Sequence, residues 1–544
     1  MLEILSFFLI FIFLFYVNGL IILKNCFSKT FIDNFNVYEI SIFGIVCTGI
    51  IAYIINFFFP LSNTLVIANL TIGIIFIFNN RKKYFHFNKP KTVATILLIL
   101  SIINIYGSGF SDDLNHYHGS LITNFDNHKY IFGLNFLQNH FGYSPIWLSL
   151  HSYANINEYY LQSITVVNGI LFFLILSTLC VAIKDLLENK KITVASFLAI
   201  FSFFFILLKY TRLKEFGIDR PAYLLLIFQF FIFTKFYALK EKNYNRSDYV
   251  LCLTIIGLFI FFIKNIFFIS LLLPGILIFQ EIKILFLKKF LIIYLIIIAY
   301  LLKNFIISGC LIYPINLTCF DVSWSSIGLV NNLFDKTEML IKGFPLYGGN
   351  LTPEVYIANF NWIPTWWSRT KTEFLEFFFT SFLCFVLTIS AFNYQNSYCG
   401  KKIFLKNKIY IFVLSVILIC NLILFFKIPV IRYFHSIFIY VFFLILCLWN
   451  LHVIIRKKTL LTLLILSIFF NILKNFNRIK DSNFENNPIK HIKKIRWYSE
   501  ASKQKLGKFT YYNGWIGGHP IGNVILNNHF HTKVWKYDII NKIR

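Results

Sequence analysis

Long apolar runs recur through this chain and limit what it can fold into. In Leu2–Leu23 the only charged or amide side chains are Glu3 and Asn18, and a helix of that length crosses about 30 Å of hydrocarbon. Thirteen further runs follow near 40–59, 64–79, 92–107, 160–183, 192–208, 221–239, 249–263, 265–280, 287–307, 374–392, 409–426, 436–455 and 459–473. A lone span in lipid satisfies its backbone groups only internally, so the runs predict helices; a barrel would show short alternating strands. The first run lacks a basic start and a small-residue cleavage site, which reads as a retained span and not a signal peptide.

Composition agrees, because 58% of the 544 residues are hydrophobic, 68 are Phe and only 14% are charged. Lipid is the expected solvent. The expectation is an all-α polytopic membrane protein of about fourteen transmembrane helices. A transmembrane domain over 1–474 carries large outer loops at about 108–159 and 308–373, and a soluble tail occupies 475–544. Interfacial helices are expected in the loops, where Phe141–Trp147, Trp362, Trp366 and Trp367 supply aromatic anchors.

Lys and Arg in short loops mark the cytoplasmic side. Alternating from the loop at Lys24 and Lys29, that side collects Arg81, Lys82, Lys83, Lys89 and Lys91 in one cluster and Lys401, Lys402, Lys406 and Lys408 in another. The N-terminus and both large loops then lie outside. So does the tail, although it holds 14 basic residues from Lys474 onward; long translocated segments are less bound by the charge rule. The net charge of +27 reads as cytoplasmic anchoring and headgroup contact, since no nucleic-acid motif accompanies it.

Chemistry is expected at the outer face. Asp112 and Asp113 follow a span directly, with His116 and His118 close behind. Such a carboxylate could deprotonate an acceptor hydroxyl or hold a divalent cation, with a histidine assisting; a solvated acidic loop is the plain alternative. Glu215 and Asp219 form a second acidic pair before a span, where Asp219 either caps the helix or serves the site. Lys264, between two apolar runs, is costly unless paired and reads as a phosphate ligand or a snorkelling anchor. Arg432, in an outer turn, offers a planar fork suited to phosphate. Cys310 and Cys319, in the second loop, are either a disulfide or two free thiols.

Many spans, an acidic first outer loop after a helix and a late Pro-x-x-Arg-Tyr turn (Pro429, Arg432, Tyr433) together resemble the GT-C class of membrane glycosyltransferases. More closely, the chain resembles an uncharacterised family of bacterial multi-spanning proteins. That likeness runs through Asp112–His118, Gly133-Leu134-Asn135-Phe136, Tyr313-Pro314 with Asp321 and Trp324, and Pro429 with Arg432-Tyr433.

The resemblance implies a polyprenyl phosphate sugar donor and a glycan or lipid-linked acceptor. Asp112 or Asp113 would be base or metal ligand, and Arg432 would stabilise the departing phosphate. Lys264 and Asp219 join from their position alone. The chain departs from better-known members in placing four spans before the acidic loop. No cofactor is implied beyond an optional divalent cation, and the expected location is the bacterial inner membrane with the active face extracytoplasmic. A transporter or flippase of lipid-linked saccharides, with Pro274-Gly275 as a candidate helix break, and a saccharide polymerase or ligase are the rival readings.

Overall fold

The computed structural model describes residues 2–61, 63–84, 91–106, 117–155, 160–189, 193–211, 213, 217–238, 246–325, 327–343, 351–394, 404–448 and 453–481, with tail strands at 502–506, 509–513, 521–522, 529–534 and 537–542. A helical segment lies on every apolar run. These are α1 (Leu2–Cys26), α2 (Val37–Ile55), α3 (Asn63–Tyr84), α4 (Lys91–Tyr106), α5 (Tyr160–Asn189), α6 (Val194–Lys209), α7 (Asp219–Ala238) and α8 (Arg246–Ile263). After a 3₁₀ segment, Asn265–Leu271, come α9 (Leu272–Gln280), α10 (Leu291–Ser308), α11 (Ile363–Ser390), α12 (Phe404–Lys427), α13 (His435–Leu448) and α14 (Lys457–Asp481). Among the described residues, eight helices are long and apolar enough to cross a membrane. The chain is therefore an all-α, membrane-type protein.

Burial runs from centre to rim. The apolar stretches of α5 and α8 are 83% and 89% buried, whereas those of α11, α12 and α14 are only 22–28% buried. On the rim, Phe379, Ile423 and Ile465 point outward, while Asn104, Asn471 and Asn475 are enclosed. Asn475 Nδ2 donates to Asn104 Oδ1, and Asn471 Nδ2 donates to the Leu207 carbonyl at 2.8 Å. Apolar groups outside and bonded amides inside suit a hydrocarbon solvent. Near the start, α1 and α2 touch backbone to backbone: a Cβ on Gly44 would stand 1.7 Å from the Phe15 carbonyl oxygen, and one on Gly19 would stand 2.1 Å from that of Ile40.

The segment 265–280 shows how 16 residues return from one face to the other. Seven residues of 3₁₀ helix, interrupted by non-helical backbone at Phe267, are followed by nine of α-helix, and 3₁₀ helix rises more per residue than α-helix. Its irregular backbone is satisfied by neighbours: Gln229 Nε2 donates to the carbonyls of Ser270 (2.8 Å) and Leu253 (3.1 Å), and Ser270 Oγ donates to that of Gly257 (2.7 Å). Pro274 sits in the first turn of α9, where its missing N–H costs nothing. The helix type therefore changes at Leu271–Leu272, just before the Pro274-Gly275 pair.

Helix ends sort into two faces. At one, Glu39 of α2 pairs with Lys235 of α7 at 2.7 Å, Asp248 of α8 pairs with Lys289 ahead of α10, and Asp248 Oδ2 also accepts from Ser28 Oγ at 2.6 Å. There too β1 (Phe392–Tyr394) and β2 (Val453–Ile455) form an antiparallel pair. At the other face, Asn56, ending α2, donates to the carbonyls of Phe125 and His128, both at 3.1 Å, and Tyr130 Oη donates to that of Tyr53 at 2.9 Å. This moors the first large loop.

Three features differ from the sequence expectation. The loop aromatics are mostly covered by protein, so they are not interfacial anchors: Phe141, Trp147, Trp362 and Trp366 are buried, with Trp147 Nε1 on Asn168 Oδ1 at 3.0 Å, and of the tryptophans expected as anchors Trp367 alone stays exposed. Next, α11 begins at Ile363, eleven residues before the apolar run, and carries Trp366, Arg369 and Glu373 into the helix. Finally, α14 continues as helix to Asp481, past position 475, where the tail is expected to start.

Strands follow α14. β3 (Ser502–Leu506), β4 (Phe509–Asn513) and β5 (Ile521–Gly522) form one sheet, and β6 (His529–Val534) pairs with β7 (Tyr537–Lys542). The β6–β7 hairpin sits on the first large loop. Phe132 N donates to the Asp538 carbonyl, and Ile540 N donates to that of Phe132, both at 3.0 Å. Tyr537 Oη reaches the Phe57 carbonyl at 2.6 Å. Gly133 has φ +71°, and a Cβ there would also stand 2.6 Å from the Ile540 carbonyl oxygen. The tail and the first loop thus share a face despite the tail's basic residues.

Two predictions follow. In cells carrying the protein with its other accessible cysteines replaced, an impermeant maleimide should label only one of Lys533→Cys and Lys283→Cys until the membrane is opened; labelling of both beforehand would contradict the two-face arrangement. The second concerns Asp126, which joins the loop helices Gly119–Asn127 and Ile146–Tyr153 by accepting from Ser152 Oγ at 2.6 Å and from Asn155 Nδ2. Burial pushes its carboxyl up to about 8 against those two donors. The folded protein then holds a proton that the unfolded chain has released, so this carboxyl's own contribution to stability should fall as pH rises from about 4 to 8 and level off above. In paired pH series of melting temperatures, the wild type should lose stability relative to Asp126→Asn across that range, and a constant difference would contradict the shift.

Candidate functional site

Lys264 ends α8 with an extended backbone (φ −161°, ψ 126°), because the chain must reverse there before the 3₁₀ segment. Its Nζ lies 2.9 Å from Asp219 Oδ1 and 3.8 Å from the centre of the Tyr433 ring. Asp219 opens α7, and its other oxygen lies 3.9 Å from Arg432 Nε. One carboxylate is therefore shared between the two cations that the sequence singled out. Burial alone would pull the Lys264 ammonium down, but Asp219, with Tyr433 and Tyr117, outweighs it and holds the pKa above the ordinary lysine value. The group is a cation at any physiological pH.

The turn carrying Arg432 is pinned through two carbonyls. Tyr223 Oη, one turn along α7, donates to the Arg432 carbonyl, and Trp366 Nε1 donates to that of Pro429 at 2.5 Å. The guanidinium itself is half exposed, so the backbone is fixed while the charge faces open space.

That space is a cavity of about 730 Å³ at the loop-bearing face. Lys264, Asp219, Arg432 and His118 all line it. Asp112, Asp113, His116 and Glu215 lie outside the described residues. Cys310 and Cys319 form a disulfide behind the wall that Tyr313, Pro314 and Ile315 supply. Tyr313, joined to Pro314 by a cis peptide, packs its ring against Gly142, where a Cβ would come within 2.6 Å. Its hydroxyl donates to the Asn139 carbonyl, and Asn265 Nδ2 donates to its own carbonyl, both at 2.9 Å.

His118 is enclosed, with neither ring nitrogen bonded among the described residues. Burial, then the charges of Lys264, His140 and Arg432, lower its pKa to about 3, so it is a neutral imidazole at physiological pH. Tyr117 beside it stacks on His140 at 5.1 Å.

Several lining residues were not singled out in the sequence. Lys209, at the end of α6, pairs with Glu376 at 2.7 Å and lies 3.6 Å from the centre of the Phe377 ring. Glu338, on the amphipathic loop helix Ile327–Lys342, is held between Lys342 at 2.7 Å and Lys427 at 2.5 Å. Partial burial raises its pKa, but the two ammonium groups overcome this and keep it below the usual glutamate value. Arg478, from α14, donates to the Thr211 carbonyl at 2.9 Å and to its hydroxyl at 3.1 Å. Lys303, buried in α10, donates to the carbonyl of Ser144 at 2.6 Å, a residue with φ +34°, and so fixes the loop between the lining residues Tyr143 and Pro145. At helix ends, the lining cations carry the same signature as membrane anchors, so residue type and position do not separate the two roles.

Across the described lining, Lys209, Arg220, Lys264, Lys427, Arg432, Lys474 and Arg478 face Asp219, Glu338, Glu373 and Glu376. Cations exceed carboxylates by seven to four, a balance that attracts an anion. Apolar wall is contributed by Ile263, Ile266, Phe268, Leu424 and Ile428, so the cavity offers a charged seat beside a greasy one. Among the described residues, no group of three or more His, Cys, Asp or Glu gathers to hold a metal ion.

Comparison with known proteins yields no match among curated proteins and none among solved structures. A family model described as a domain of unknown function, DUF8201, matches residues 1–439. That stretch contains the shared carboxylate, both of its cations and the pinned turn, whereas Lys474, Arg478 and the tail hairpin lie beyond it. The chain belongs to the DUF8201 family.

Proposed function

We propose that the protein transfers a sugar from a polyprenyl phosphate-linked donor to a glycan or lipid-linked acceptor at the extracytoplasmic face of a bacterial inner membrane, with all fourteen helical segments crossing the bilayer. The cavity's lining carries this reading: a surplus of cations beside an apolar wall suits an amphiphile with a phosphate head and a hydrocarbon tail. The basic clusters of the opposite loops support the orientation, as does the Cys310–Cys319 disulfide, which suits an oxidising compartment.

In the proposed reaction the acceptor hydroxyl oxygen bonds to the anomeric carbon as the bond from that carbon to the phosphate oxygen breaks. The electron pair leaves on the phosphate, whose charge Lys264 and Arg432 neutralise. The acceptor proton passes to Asp112 or Asp113. These precede Tyr117 by five and four residues, so an extended chain keeps them within about 18 Å of the Tyr117 Cα. Asp219 positions both cations.

The 3₁₀ segment between α8 and α9 favours one rival, a flippase of lipid-linked saccharides, since broken helices mark transport pathways. A single set of assays separates the two. Purified wild type should release free polyprenyl phosphate from a suitable sugar donor and label an acceptor. Asp112→Asn or Asp113→Asn, together with Arg432→Ala, should lower kcat by about 100-fold or more, and Asp219→Asn should raise KM by loosening both cations. Variants as active as the wild type would sink these assignments, and donor crossing liposomes with its glycosidic bond intact would support the flippase.

A further inference from the structure

His435 opens α13 at the cavity face and has only 8% of its surface exposed. Its ring stacks on Phe377 at 3.7 Å and on Tyr223 at 4.8 Å between centroids. Aromatic rings pack on the imidazole, and its two nitrogens have almost no accessible surface of their own. Neither nitrogen meets a hydrogen-bond partner among the described residues, yet the residue lines the cavity. Buried nitrogens are almost always bonded, and one beside a cavity can be bonded by what enters it.

The surroundings say what kind of group that is. Lys209, Arg220 and Arg432 lie close enough for their charges to bear on the ring, and Lys209 also rests on Phe377, the ring stacked against it. In either neutral tautomer or in the protonated ring, an imidazole has an N–H to give. A ring N–H among three cations recognises an anionic oxygen. Glu373 and Glu376 temper the charge on that side, so the seat suits one anionic group and not a dense polyanion.

We propose that His435 is a binding residue of the cavity, giving its ring N–H to an anionic phosphate oxygen of the ligand beside Lys209 and Arg220. The choice of phosphate rests on the glycosyltransferase reading; the need for an anion does not. His435 is a different donor from the Lys264–Asp219–Arg432 group, and it is reached through the same cavity.

The test is equilibrium binding by the full-length protein in detergent or nanodiscs, with farnesyl phosphate, inorganic phosphate and farnesol as probes. His435→Phe keeps an aromatic ring in the stack and removes both nitrogens. It should weaken farnesyl phosphate and inorganic phosphate by about 10-fold or more, the worth of one hydrogen bond to a charged group, and leave farnesol unchanged. If that variant does not fold, His435→Gln against His435→Leu makes the same comparison, with the amide expected to bind phosphate more tightly. Equal phosphate affinities in either comparison, or no phosphate binding by the wild type, would overturn the inference. Because no sugar is transferred, failed catalysis with intact, His435-dependent phosphate binding would count against the transferase reading alone.

Discussion

Hydrocarbon accepts no hydrogen bonds, and most of this molecule follows from that. The rim helices turn Phe379, Ile423 and Ile465 outward, so their polar side chains must bond one another inside, as Asn104, Asn471 and Asn475 do, or gather at helix ends. Charged side chains can be accommodated only at those ends, where α6, α7, α8, α11, α12, α13 and α14 converge. The cavity is the place where they meet without closing.

Within it, Asp219 has the central position. A lone lysine between two apolar helices would be costly, and so would an arginine fixed beside it; one carboxylate serves both, and the Tyr433 ring lies against each. The same economy recurs at Glu338, which holds Lys342 and Lys427. Around these pairs the walls are set by backbone contacts: Trp366 and Tyr223 on the Pro429–Arg432 turn, Lys303 on Ser144, and Asn56 on the first loop. A cavity with fixed walls, a surplus of cations and an apolar side suits recognition of a charged head on a flexible tail.

Lys264, Asp219 and Arg432 stood out in the sequence because each is an ionisable side chain set against an apolar run, although capping or anchoring explained each of them as well. Lys209, Glu376, Lys474 and Arg478 did not, since a charge at the end of a span resembles an anchor whatever it faces. Tryptophans misled in the opposite direction: Trp147, Trp362 and Trp366 have the composition of an interfacial belt, but neighbouring helices cover them. His435 carried no signal at all, because an unbonded ring becomes visible only once every neighbour is in place.

The sequence by itself determined where the helices lie, since a run of apolar side chains in lipid has one way to satisfy its backbone. It also determined the basic clusters and the residues available for chemistry. Only the tertiary structure decided which helix ends meet, that one carboxylate is shared by two distant cations, and that the β6–β7 hairpin rests on the first large loop. These depend on contacts between residues hundreds of positions apart, such as Tyr537 with Phe57, and a local pattern of polarity holds no information about them.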